Sequence, residues 1–196
     1  MLDNDSDRLP PAVRRIVTSL RMAGWASVWA QGVLAIVSTF VLIFASAVLN
    51  FSSTPNPEVA RDNPGAGIGF FFAIIGLLLL YGGGCWAFFY TRLSRKLRTV
   101  EGRDRPKPSD VIKATKIGII LNLVGMLSSL LGSGAWTGSL IGKTFFQGNQ
   151  SFILQGVEQT IQAGDIWVVQ AIFLILLAHY AGLLASLVLV QTMGQQ

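Results

Sequence analysis

Four long apolar stretches constrain this chain more than any other feature of its sequence. They cover about residues 25–49, 68–90, 117–140 and 166–190, and each is long enough for a helix to cross a hydrocarbon layer roughly 30 Å thick. Because lipid offers backbone groups no hydrogen-bond partners, each stretch must be helical, and none shows the alternating polarity of a membrane barrel. The sequence therefore predicts an all-α fold, an integral membrane four-helix bundle.

The composition supports a membrane protein and argues against a nucleic-acid partner. Hydrophobic residues make up 52% of the chain and charged residues only 13%, a balance that is unusual for a soluble domain. The net charge of +5 comes from local clusters, so it indicates membrane orientation. A single cysteine, Cys85, cannot form an internal disulfide. The first 20 residues lack an apolar core, so no cleaved signal peptide is expected.

Most of the positive charge lies in two segments. Two spans separate these segments, so both should lie on the same side of the membrane. The N-terminal segment (residues 1–24) and the connection between spans two and three hold 13 of the 15 Lys and Arg residues. Since cytoplasmic flanks retain positive charge, the N terminus, this connection and the short tail at residues 191–196 are predicted to be cytoplasmic. The connection's first cations form a membrane-surface basic group: Arg92, Arg95, Lys96 and Arg98.

Two segments outside the spans have apolar residues at helical spacing. The first precedes span one, beside arginines, and the second precedes span four; their apolar residues are Val13, Ile16, Val17 and Leu20, and Phe152, Ile153, Val157 and Ile161. Each predicts a short interfacial helix, the first on anionic lipid headgroups. For the first segment, the alternative is a frayed tail whose arginines serve only orientation. For the basic connection, a solvated linker and a headgroup or protein-binding segment both stay open.

Span three carries small residues on two opposite faces. At 100° per residue, one row contains Gly118, Asn122, Gly125, Ser129, Gly132 and Trp136, and the opposite row contains Gly134, Gly138 and Gly142. Small residues allow close helix approach in lipid, so this pattern predicts neighbouring helices on both sides of span three. Span four presents a matching packing face with His179, Gly182 and Ser186.

Lys143 lies where span three should leave the hydrocarbon. A lysine at this position usually extends its ammonium group to the headgroups along its methylene stem. Alternatively, an unbroken helix would place Lys143 in a wet vestibule, where it would repel or guide ions. Lys143 and Asn122 are the two candidates for a conduction pathway.

His179 lies near the middle of span four and should be neutral, because a charge there would cost several kcal/mol. The predicted role is a hydrogen bond to another helix, with Asn122, Ser128, Ser129 or Gln170 as partner. The alternative is a metal ligand or proton relay, since neutral imidazole binds transition metals. One histidine is too few for a metal site unless Cys85, Met126 or further copies of the chain contribute.

No catalytic constellation is visible in the sequence. The four apolar stretches contain no Asp or Glu, and the chain has one His and no nucleophile motif or phosphate-binding loop. Neither enzymatic activity nor a cofactor is therefore expected.

Several strings resemble one family, the chloroplast inner-envelope proteins described both as an iron permease and as a 21-kDa subunit of the protein-import translocon. The strings are "YTRLSRKLR", "SDVIKATKIGIILNLVGM", "SLLGSGAWTGSLIGK" and "DIWVVQAIFLILLAHYAGLLASLVLV", which cover most of the second half. The resemblance implies a four-helix membrane protein with a role in transport. It also implies a cyanobacterial relative, in a bacterial plasma or thylakoid membrane. The family's ligand residues are not firmly defined, so none is transferred.

Two functions follow from these observations. The first is a permease for iron or another metal ion, with its path between subunits, although hard cations prefer oxygen ligands that the spans lack. The second is a non-enzymatic scaffold or assembly subunit of a membrane complex such as a protein translocon. Both functions require contact with further membrane proteins, either copies of the chain in a homo-oligomer or different partners.

Overall fold

The computed structural model describes residues 11–52, 64–99, 106, 108–149 and 161–194, and these form four long helices. In chain order they are α1 (Pro11–Ser52), α2 (Pro64–Thr99), α3 (Pro108–Asn149) and α4 (Ala163–Gly194). Three of the four begin at a proline, which loses no hydrogen bond in the first turn and has a φ already suited to a helix. The described residues contain no strand, so the all-α prediction is confirmed.

Each helix is longer than the span predicted within it. At 1.5 Å per residue, helices of 32 to 42 residues are about 48 to 63 Å long, which exceeds the hydrocarbon thickness. The segment containing Val13 and Leu20 is part of α1 and is not a separate interfacial helix. The helix continues through Gly24 into the first span, because no proline interrupts it between Val13 and Trp25. The predicted surface helix before span four lies largely outside the described residues.

Contacts divide the chain into two compact units, and every helix contributes one segment to each. Unit 1 comprises the described parts of Met1–Val33, Leu79–Val124 and Ala178–Gln196, and unit 2 comprises those of Leu34–Leu78 and Gly125–Leu177. The core of unit 1 contains Val17, Leu20, Tyr90, Leu93, Leu97, Val111, Ala114 and Leu189. The core of unit 2 contains Ala45, Ala73, Trp136, Val168 and Ile172.

Large apolar side chains cover the outside of all four helices. Phe40, Leu78, Ile120 and Phe173 are each more than half exposed, with Leu78 at 65%. A water-soluble protein rarely exposes so much apolar surface, whereas lipid accepts it at no cost. All four helices are also long and apolar enough to cross a membrane. The chain is therefore an integral, multi-pass membrane protein built as a four-helix bundle.

The two small-residue rows of α3 have different surroundings within the described chain, so a neighbouring helix beside the second row stays a prediction. The first row is buried at all six positions: Gly118, Asn122, Gly125, Ser129, Gly132 and Trp136. A β-carbon at Gly134, Gly138 or Gly142 would meet no described atom within 4 Å beyond its own stretch of helix. Small residues fit both a close helix and lipid tails, so the pattern could not separate the two.

Candidate functional site: a buried amide and imidazole cluster and a buried ion pair

Three polar side chains from three helices meet inside unit 1. Gln31 of α1, Asn122 of α3 and His179 of α4 are all buried. Gln31 Nε2 donates to Asn122 Oδ1 at 2.7 Å, and His179 Nδ1 lies 3.3 Å from the same oxygen. We call these residues the amide–imidazole cluster. It includes the bond between His179 and Asn122 that was among the sequence-based expectations.

The helix that carries Asn122 fixes the direction of these hydrogen bonds. Asn122 Nδ2 donates to the Gly118 carbonyl oxygen of its own helix at 2.8 Å, which leaves Oδ1 as the acceptor for both neighbours. His179 can bond to that oxygen only by donating a proton from Nδ1. One amide oxygen of α3 thus holds side chains from α1 and α4.

Two glycines allow the cluster to form. A β-carbon at Gly182 would overlap Gln31 Nε2 and lie 2.5 Å from Asn122 Oδ1, so the amide pair occupies the space that a side chain would need. On α2, a β-carbon at Gly83 would lie 3.2 Å from Gln31 Oε1, a buried oxygen with no hydrogen-bond partner in the described chain. The Gly182 position predicted for packing therefore receives a polar side chain.

A second polar contact in unit 1 joins α2, α3 and α4. The Tyr90 hydroxyl lies 3.4 Å from both the Ala114 carbonyl oxygen and Ser186 Oγ. Ser186 Oγ donates to the Gly182 carbonyl oxygen, and Trp86 Nε1 donates to Ala114 at 2.9 Å. A β-carbon at Gly118 would overlap the Tyr90 hydroxyl. Gly118 of α3 and Gly182 of α4 thus leave space for the Tyr90 and Gln31 side chains.

Unit 2 contains an ion pair between the end of α3 and the start of α4. Lys143 Nζ lies 2.9 Å and 3.1 Å from the two carboxylate oxygens of Asp165. The Asp165 side chain is only 2% exposed and that of Lys143 is 16% exposed. Lys143 is therefore paired within the chain, an arrangement that neither the headgroup nor the vestibule interpretation included.

Asp165 also organises the first turn of α4. Its Oδ2 accepts from the Gln162 backbone N–H at 2.9 Å, as the third residue of a capped helix commonly does. Trp136 Nε1 donates to the Asp165 carbonyl oxygen at 3.2 Å. An acidic group in the first turn is also favoured by the helix dipole. Asp165 thus takes part in the ion pair and the helix cap through its carboxylate, and it contacts α3 through its carbonyl oxygen.

Close backbone approach supplies a further contact between α2 and α3 in unit 2. A β-carbon at Gly69 would lie 2.8 Å from the Trp136 backbone nitrogen, and one at Gly132 would lie 3.1 Å from the Gly69 carbonyl oxygen. Ser128 Oγ donates to the Phe72 carbonyl oxygen at 2.9 Å. Ser129, by contrast, donates to Gly125 of its own helix. Gly132 therefore faces α2.

No group of three or more His, Cys, Asp or Glu side chains that could hold a metal occurs within the described ranges. Cys85 is exposed, whereas His179 is buried beside two amides. The metal role of His179 stays a prediction, and the chemistry visible at the cluster is neutral hydrogen bonding.

The basic group at the end of α2 lies on the surface. Arg92, Arg95 and Lys96 are exposed, and Arg98 is partly exposed. The Arg92 guanidinium carbon lies 5.3 Å from the centre of the Phe88 ring, within the range of a cation–π contact. A role of these surface cations in binding anionic partners stays a prediction.

Sequence reasoning missed Asp165, Gln31 and Tyr90. Asp165 stands one residue before the span assigned to α4, so it was counted with a connecting segment. A signal was nevertheless present, because an acidic residue in the first turn of a helix commonly caps it. Gln31 was a polar residue inside a span, where partners in lipid are expected. Tyr90 carried no comparable signal.

This arrangement defines a class: a multi-pass membrane protein whose helices are joined by buried polar side chains. Within that class, the chain belongs to the family described as "Protein of unknown function (DUF3611)", which matches residues 10–194. It is also similar to "Protein TIC 21, chloroplastic" of Arabidopsis thaliana, with 32% identity over 200 residues. That alignment covers 97% of this chain and 63% of the plant protein. It confirms the resemblance carried by the sequence strings. No solved structure matches the chain.

Proposed function

We propose that this chain is a non-enzymatic scaffold subunit of a membrane transport complex, and that α3 packs against a neighbouring membrane protein or another copy of the chain. The observation that carries the proposal is the open glycine face of α3, which comprises Gly134, Gly138 and Gly142. The similarity to the plant protein supports a role in transport but names no partner.

The contrast between the two rows of α3 supports this function. Gly132 already contacts α2 at backbone distance, which is how small residues bring membrane helices together. Gly134 and Gly138 have the same small size and meet no described neighbour. A partner helix could approach them as closely as α2 approaches Gly132, with no rearrangement of unit 2.

The test is the size of the native complex formed by a Gly138→Leu variant. The leucine side chain should hold a partner helix away and reduce the complex, measured by native gel electrophoresis and by cross-linking in the membrane. Gly84→Leu is the matched control, because Gly84 is also a helix glycine with open space around it. An unchanged complex with Gly138→Leu would contradict the scaffold proposal.

A second candidate function is a permease for iron or another metal ion, and one observation favours it. Gln31 Oε1 is a buried acceptor without a hydrogen-bond partner in the described chain, and it belongs to the same cluster as His179. An oxygen that lacks a donor could contribute to a transient cation path, since hard cations prefer oxygen ligands.

Iron flux into proteoliposomes separates the two functions. A conducting chain should show flux above protein-free vesicles, and His179→Ala should remove the flux while leaving insertion and folding intact. Thr137→Ala, on an exposed position of α3, provides a variant with no expected effect. Absence of flux from the purified wild-type chain, or unchanged flux in His179→Ala, would contradict the proposed role of His179 in conduction.

A further inference from the structure

Three consecutive glycines, Gly82, Gly83 and Gly84, lie within the part of α2 that belongs to unit 1. The helix is continuous through them, since it runs from Pro64 to Thr99. Each glycine lowers the stability of a helix interior, because it has no side chain to restrict the backbone outside the helix. Bends in helices commonly occur where such residues are adjacent. The three glycines therefore make this turn a weak point of α2.

Packing explains only the middle one of the three glycines. A β-carbon at Gly83 would lie 3.2 Å from both Gln31 Oε1 and Leu121 Cδ2, which is closer than an ordinary contact. At Gly82 it would lie 3.9 Å from Leu121 Cδ1, an ordinary van der Waals distance. At Gly84 it would meet no described atom within 4 Å beyond its own stretch of helix. Alanine would fit at Gly82 and Gly84, so close packing does not account for glycine at these two positions.

An unpaired hydrogen-bond acceptor lies against the middle glycine. Gln31 is fully buried, and its Oε1 has no hydrogen-bond partner in the described part of the chain. The amide cannot gain a partner by turning over, because Oε1 would then face Asn122 Oδ1, which is also an acceptor. The bond from Asn122 Nδ2 to Gly118 fixes the orientation of that second amide. Gln31 Oε1 is thus held beside Gly83 without a donor.

The backbone N–H groups of Gly83 and Gly84 flank the α-carbon against which this oxygen lies. In the regular helix they donate to the carbonyl oxygens four residues earlier, those of Leu79 and Leu80. Where a membrane helix is broken, groups on neighbouring helices commonly form hydrogen bonds with the freed backbone. Gln31 of α1 therefore places a suitable acceptor next to the turn of α2 that opens most easily.

We propose that Gln31 and the three glycines form a conformational switch, in which α2 exchanges between a closed and an open helix. In the closed state both flanking amides bond within α2, and Gln31 Oε1 is unpaired. In the open state α2 bends at the glycines, and the N–H of Gly83 or Gly84 leaves its helix carbonyl and donates to Gln31 Oε1. Each state leaves one buried acceptor unpaired, so neither is strongly favoured. The exchange needs no ligand and is independent of both proposed functions.

The experiment is NMR relaxation dispersion on the full chain in micelles, with isotope-labelled glycine and a metal chelator that keeps cations away from the oxygen. The amides of Gly83 and Gly84 should show exchange on the microsecond-to-millisecond timescale. Gly84→Ala should lower the open population, read at Gly83, by about fivefold, the factor that corresponds to the difference in helix propensity between alanine and glycine. Gly134→Ala is the matched control, because Gly134 is also a helix glycine in open space, and it should leave the exchange at Gly83 unchanged.

Removal of the acceptor tests the role of Gln31. Gln31→Met keeps a side chain of similar length without the oxygen, so the open population should fall by about fivefold or more through loss of one buried hydrogen bond. His179→Leu is the control, because it removes a hydrogen bond from the same amide–imidazole cluster and retains Gln31 Oε1, so the exchange should persist. Absence of exchange at Gly83 and Gly84 in the wild-type chain would overturn the proposal. So would undiminished exchange in Gln31→Met, an equal loss in His179→Leu, or equal effects of Gly84→Ala and Gly134→Ala.

Discussion

In unit 1 the amide–imidazole cluster joins helices through neutral side chains, whereas in unit 2 an ion pair joins α3 to α4. Gln31, Asn122 and His179 exchange hydrogen bonds near the middle of α4. Lys143 and Asp165 pair at the third residue of α4. An ionised group costs most at the centre of a bilayer and less near its surfaces. The comparison shows how depth selects the chemistry: neutral amides at mid-helix, and charges at the helix end.

The two units also differ in what their glycines accommodate. In unit 1, Gly182 and Gly118 leave space for the ends of the Gln31 and Tyr90 side chains. In unit 2, Gly69 leaves space for the backbone of α3 at Trp136. A β-carbon at Gly182 would displace a buried, hydrogen-bonded side chain, whereas one at Gly69 would push the backbone of α3 by a smaller distance, so similar residues have different consequences in the two units.

The largest expected effect is in the ion pair of unit 2. Lys143→Met leaves the buried carboxylate of Asp165 without its cation, and loss of one partner of such a pair should lower the free energy of unfolding by about 3 kcal/mol. The measurement is equilibrium unfolding in detergent micelles. Lys116→Met, an exposed cation of α3, is the control and should change stability little.

The double variant Lys143→Met with Asp165→Asn sharpens this result. Asparagine carries no charge and keeps an oxygen that can accept from the Gln162 N–H, so most of the lost stability should return. A double variant as unstable as Lys143→Met alone would show that the pair does not act through charge. The contrast between the ion pair of unit 2 and the neutral amide–imidazole cluster of unit 1 would then lose its energetic meaning.

A substitution at Gly182 tests the neutral cluster of unit 1. The added methyl group of Gly182→Ala overlaps the Gln31 amide and crowds Asn122, so the hydrogen-bonded amides must separate. Overpacking of this kind should lower the free energy of unfolding by about 2 kcal/mol. Gly84→Ala meets open space and should be neutral or slightly stabilising, because alanine favours helix. Equal stability of the two variants would exclude the close fit at Gly182.

Gly69→Ala is the matching test in unit 2. Its methyl group would lie 2.8 Å from the Trp136 nitrogen and 3.0 Å from the Gly132 carbonyl oxygen, so α2 and α3 must separate by a few tenths of an ångström. We expect a loss of about 1 kcal/mol, since the overlap is smaller than at Gly182 and breaks no side-chain hydrogen bond. Thermal unfolding should rank Gly182→Ala below Gly69→Ala; the reverse order would contradict the comparison.

The sequence predicted the number and type of the helices, because length and apolar composition depend on the chain alone. It also gave Asn122 as one of four candidate partners of His179, because a mid-span imidazole needs a polar neighbour at similar depth. It did not predict Gln31 as the third member, since which faces of α1 and α3 meet depends on helix rotation. The periodicity of one helix contains no information about that rotation.

Two sequence-based predictions, those for the second glycine row of α3 and for Lys143, share one physical uncertainty. Gly134 and Gly138 were expected to contact neighbouring helices, and Lys143 was expected to reach headgroups or water. In both cases a residue type is compatible with two environments: glycine with a helix or with lipid, and lysine with a headgroup or with a carboxylate. Asp165 determines the environment of Lys143, and its place in the first turn of α4 depends on the start of that helix at Ala163.

The smallest expected effect is at the Ser128 hydroxyl of unit 2, which donates to Phe72 of α2. Ser128→Ala should lower the free energy of unfolding by about 0.6 kcal/mol, the average for one hydrogen bond between membrane helices. The loss is small because the Phe72 carbonyl lies within α2 and can still accept from its own helix, so no buried group becomes unpaired. Thr137→Ala, at an exposed position of α3, is the control. A loss above about 2 kcal/mol for Ser128→Ala would mean that unit 2 depends on neutral hydrogen bonds as much as unit 1 does.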